Sequence, residues 1–88
     1  MSVIWKAVLR PIDVQDIELP EGAEIICARE QHGQPCIWFR CDPDAPKVVR
    51  QFAICGTGHA APSADESRYI GTAHLGGGEL ILHIFERA

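Results

Sequence analysis

The chain has 88 residues, a formal net charge of −4, 47% hydrophobic residues and 23% charged residues. That size gives one domain, residues 1–88, with a core near the lower limit of self-sufficiency, which an oligomer, a metal or disulfides commonly supplement. The acidic balance supplies no field for nucleic acid, and no apolar run approaches the roughly 20 residues that span a bilayer, so DNA and membrane are excluded as partners.

Short apolar runs separated by turn residues recur along the chain, which is the all-β pattern. VIWKAVL (3–9) reads as a first strand that Pro11 ends. MSVIWKAVLRP carries a lysine and an arginine and has no signal-peptide organisation, so the expected location is a cytoplasm that keeps thiols reduced. IDVQDIEL (12–19) is a second strand, closed by the turn PEG (20–22). Acids crowd this first third: Asp13, Asp16, Glu18, Glu21, Glu24 and Glu30. AEIICARE (23–30) and CIWFRCD (36–42) flank QHGQP, a hairpin connection with Gly33 at positive φ. DPDAP (42–46) is a rigid turn, and KVVRQFAIC (47–55) is a strand that GTGH ends. After the polar loop AAPSADES (60–67), RYIGTAHL (68–75) and ELILHIFE (79–86) flank a glycine triplet, again a hairpin. The expected fold is a compact antiparallel meander of six or seven short strands. Several strands are apolar on both faces, so the meander should form a small sandwich or barrel and pair with copies of itself.

The four cysteines are Cys27, Cys36, Cys41 and Cys55, separated by eight, four and thirteen residues. Structural zinc needs paired ligands at short spacing, and no CxxC or HxxxH occurs, so no metal and no cofactor is expected. Cys27, Cys36 and Cys55 lie among apolar residues and read as core thiols; Cys41, beside Asp42, is the least core-like. No GxSxG, HExxH or Walker A sequence is present, and nothing asks for an enzyme.

The GTGH stretch is the candidate site. Gly56 and Gly58 allow a backbone nest for an anion, Thr57 adds a hydroxyl, and His59 a group that can change charge near neutral pH. The plain alternative is a turn where the chain leaves the sheet. Val48, Arg50, Phe52 and Ile54 share one strand face, which puts a charge in an apolar row. Arg50 then sits near an edge, pairs with an acid or faces a ligand. Arg40 stands in a similar position beside Trp38, and Asp42 and Asp44 are the available partners for either arginine. Arginines beside aromatic rings suit an anionic, ring-bearing ligand: Arg40 and Arg50 for phosphates, Trp38 or Phe52 for stacking. YIGT (69–72) supplies a second glycine–threonine element. If the two elements are neighbours, Thr57, His59 and Thr72 line one pocket; otherwise Gly71 makes room for Trp5 or Trp38.

IWK (4–6), CIWFRCDPDAPKVVRQFAICGTGH (36–59), YIGT (69–72) and HIFE (83–86) together resemble a group of small phage and prophage proteins of unknown function. The resemblance covers nearly the whole chain and implies a phage accessory protein made inside a bacterium. It carries no catalytic residues. In that setting the expected function is sequestration of a small anionic, cyclic nucleotide-like signal by a homo-oligomer. The rival is an inhibitor of a host defence protein, of anti-CRISPR type, acting through the acidic segment Asp13–Glu30. A minor structural component of the virion is a third reading.

Overall fold

A computed structural model describes all 88 residues as seven strands with no α-helix. The strands are β1 (Val3–Val8), β2 (Val14–Pro20), β3 (Glu24–Gln31), β4 (Gln34–Cys41), β5 (Lys47–Gly56), β6 (Ser67–Leu75) and β7 (Leu80–Arg87). Each coincides with an expected strand to within about two residues.

Turn chemistry explains most of the punctuation. His32 and Gly33, both at positive φ (54° and 78°), form the two-residue connection that matches hairpin twist between β3 and β4. Asp42 accepts the Asp44 N–H on its own carboxylate (3.0 Å) and the Ala45 N–H on its carbonyl (3.1 Å), which fixes DPDAP as a turn. The glycine triplet joins β6 to β7 through a short 3-10 turn, with all three residues at positive φ.

The strand order corrects the meander. All seven strands form a single mixed sheet, β1-β4-β3-β6-β7-β5-β2, curled into a half-barrel rather than a sandwich or a closed barrel. Among consecutive strands only β3–β4 and β6–β7 pair; β1 pairs with β4 and β2 with β5. β3 and β6 run parallel, with Ala28 opposite Gly71, and this contact joins the two halves of the sheet. The reason lies across the strands. β1 sets Val3, Trp5 and Ala7 against Cys41, Phe39 and Ile37 of β4, an apolar match that acidic β2 could not provide.

The concave face holds the core. Ile37, Phe39 and Cys41 of β4, Phe52 and Ile54 of β5, and Leu82 and Ile84 of β7 meet there, with Leu9 and Leu19 at the rims. Alternation sends Trp38 and Arg40 to the convex face. Cys36 is buried as expected, but the other three thiols differ from expectation: Cys41 is buried, whereas Cys27 and Cys55 are only half-buried. Cys41 shares the strand face of Ile37 and Phe39, and that outweighs its neighbour Asp42.

Candidate functional site

Gly56 ends β5 opposite Leu82, and Ser67 begins β6 opposite Arg87. The segment 57–66 must therefore run back along the length of β7. It starts with a tight turn in which the His59 N–H donates to the Gly56 carbonyl (3.1 Å) and Gly58 takes φ +87°, a region that favours glycine. The His59 imidazole folds over Gly56, where an added Cβ would sit 3.3 Å from Nδ1. Ser63 anchors the far end: its carbonyl accepts from the Glu66 N–H (3.1 Å) and the Ser67 hydroxyl (2.7 Å).

Between this segment, the start of β2, the end of β5 and strand β7 lies a cleft of about 670 Å³. Ile54, Leu80 and Leu82 give it an apolar lining, and His59, Ser63, Asp13, Glu66 and Arg87 give it polar groups. Arg87 takes part in none of the three ion pairs of the molecule, and it borders both this cleft and a smaller depression beside Asp65, Ser67 and Glu86.

On the other side of the turn a polar relay crosses β7. The Thr57 hydroxyl lies 2.7 Å from His83 Nε2, and His83 Nδ1 lies 2.8 Å from the Tyr69 hydroxyl. That hydroxyl also contacts Thr72 Oγ1. Phe85 packs edge-on against Tyr69 with ring centroids 5.0 Å apart. The two glycine–threonine elements are thus linked through His83 and Tyr69. His59 is apart from this relay and belongs to the cleft.

The arginine–aromatic set does not converge. Phe52 is fully buried (0% exposed) and cannot stack on a ligand without losing its core contacts. Arg50 donates through Nε and Nη2 to both carboxylate oxygens of Glu86 (2.6 and 2.9 Å) and through Nη1 to the Ala23 carbonyl. Arg40 pairs with exposed Glu24 at 3.0 Å. The partners are Glu86 and Glu24, not Asp42 or Asp44, because cross-strand neighbours outrank sequence neighbours in a sheet. Arg40 and Trp38 stand on β4, and β3, β6 and β7 separate them from β5 and the turn.

Sequence reasoning overlooked Tyr69, His83, Ser63 and Arg87. His83 alternates with Leu82 and Ile84 on β7, and that period of two was a usable signal for an outward imidazole. Arg87 had no local signal, since its place depends on the crossing of the 57–66 segment. No curated protein and no solved structure matches the chain. A family model matches residues 1–88 in full, and the chain belongs to that family, described as a domain of unknown function (DUF7352).

Proposed function

We propose that the protein is a non-enzymatic binding protein that takes a small ligand with an apolar body and an anionic group into the cleft beside the Gly56–His59 turn. One observation carries this reading: the glycine turn walls a cleft of about 670 Å³, within the roughly 300–1,000 Å³ typical of small-molecule sites. In this reading Arg87 takes the anionic group, His59 and Ser63 orient it, and Leu80, Leu82 and Ile54 hold the apolar part. Arg50 and Arg40 leave the contact set because both are paired. The resemblance to phage accessory proteins gives the proposed setting: sequestration of a cyclic nucleotide-like signal in the cytoplasm of a bacterial host.

Native mass spectrometry with a panel of cyclic and linear nucleotides, followed by calorimetry, tests this. One nucleotide mass per cleft is expected, and Arg87→Ala and His59→Ala should each raise Kd by about tenfold or more. An unchanged Kd in Arg87→Ala removes the cleft from the reading. A specific observation favours the rival inhibitor: Asp16 and Glu18 are exposed along the free edge strand β2. If no nucleotide binds and charge reversal at Glu18 and Glu21 releases a co-purifying host protein, the inhibitor reading replaces the cleft.

A further inference from the structure

The sheet ends on one side with β1, so one side of its backbone has no partner strand. Such edges are normally blunted by charge, proline or a covering segment. Along Val3–Val8 β1 has one of these guards, the charge of Lys6, and its ammonium donates to the Gln31 side chain of β3 (2.6 Å), while Ile4 (53%), Trp5 (40%) and Val8 (46%) are exposed. The opposite edge is guarded more fully. β2 carries Asp16 and Glu18 and ends in Pro20, which has no N–H to offer. At its start the buried Gln15 amide bonds both backbone groups of Arg10 (2.9 and 2.7 Å), which seats residue 10 there.

We propose that β1 is a dimerisation edge: Val3–Val8 pairs antiparallel with the same strand of a second copy, about a two-fold axis at Trp5. The register follows from face and charge. Opposed residues share a face, and β1 turns Val3, Trp5 and Ala7 toward the face of Cys41, Phe39 and Ile37. A continuous concave face therefore needs the axis at a residue, not between two. An axis at Lys6 sets two ammonium groups opposite each other, which is unfavourable. An axis at Trp5 sets Val3 against Ala7, Ile4 against Lys6 and Trp5 against Trp5, with no like charges opposed. This self-complementarity selects a second copy over a foreign strand. An isologous contact also closes, whereas β1 on β2 of the next copy is head-to-tail.

Sedimentation equilibrium over a concentration series is the test. The expected species is twice 9.7 kDa. Ile4→Lys places an ammonium opposite Lys6 of the other copy at two symmetric positions and should weaken association by at least about tenfold. Adding Lys6→Glu should restore association, because the new ammonium and carboxylate then face each other across the axis. Val49→Lys, exposed on β5 away from this edge, should leave association unchanged. Should Ile4→Lys fail to fold, circular dichroism of the unaltered protein remains decisive: paired Trp5 indoles give an exciton couplet that fades on dilution and is absent in Trp5→Phe. A species that stays at 9.7 kDa at high micromolar concentration, an assembly larger than two, or a double variant without rescue overturns the proposal.

Discussion

Arg50 shows how one side chain can look like a ligand contact and serve the fold. It lies in the row of Phe52 and Ile54, and a guanidinium there needs compensation because burial of an unpaired charge is expensive. Glu86 supplies both carboxylate oxygens, and the Ala23 carbonyl takes a third donor, so β5, β7 and the turn before β3 are tied at one end of the curl. The pair is mostly shielded, with side-chain exposures of 21% and 14%, so it is worth more than an exposed bridge such as Arg40–Glu24. Arg50→Ala strands the Glu86 carboxylate, with only a long 3.5 Å contact to Arg68 remaining. We expect a loss of about 2–4 kcal/mol in urea unfolding. Arg50→Lys should recover only part of it, since an ammonium cannot reproduce the fork. A loss below about 0.5 kcal/mol, the range of an ordinary surface substitution, would show that the fork does not hold this end together.

Among the strands, the parallel join of β3 and β6 is the critical pairing. Gly71 is needed there for space: an added Cβ would meet the Ala28 amide nitrogen and Cβ, both at 2.9 Å, and its carbonyl closer still. Backbone is what it would strike, so Gly71→Ala should part the two halves of the sheet. The expected cost is about 2–4 kcal/mol, with hydrogen-exchange protection lost first around Ala28 and Gly71. Unchanged protection there would mean that the join tolerates a side chain. Sequence reading stopped short of this contact for a physical reason. Period-two patterning and turn residues are local, so all seven strands, the QHGQP hairpin and the glycine-triplet hairpin were legible. Pairing between β1 and β4, or β2 and β5, depends on which distant faces complement each other, and a single strand does not carry that. The site divides the same way. GTGH was legible as a candidate nest or a turn where the chain leaves the sheet, while the positive φ of Gly58 alone, the path of 57–66 that makes the cleft, and the pairing of β5 with β7 that brings Thr57 to His83 were not. Gly71 makes room not for Trp5 or Trp38 but for a neighbouring backbone.

A curled sheet with so small an enclosed core has two unlike surfaces, and the four thiols sample both. Cys41 lies on the concave side within the core. Cys36 is buried on β4, where burial pushes its thiol above the ordinary range; nearby Lys6 and a backbone hydrogen bond at Gln31 oppose that only partly. Cys27 and Cys55 are half-exposed. Iodoacetamide acts on the thiolate, so alkylation of the native protein should label Cys27 and Cys55 first and leave Cys36 and Cys41 until the sheet opens. The shift at Cys36 also has a consequence for stability. The native state holds the Cys36 proton more tightly than the unfolded chain, so this contribution is complete below the ordinary thiol range. As pH rises through that range the unfolded chain ionises first, and stability falls until the native thiol ionises as well. Urea midpoints measured across the alkaline range should therefore decline in the unaltered protein and decline less in Cys36→Ala, whose starting stability is lower for lack of the buried sulfur. Parallel declines would mean that Cys36 does not set the alkaline limit. Early labelling of Cys41 would mean that the concave face opens readily at low cost, as expected of a half-barrel whose free edges are not held by a second copy.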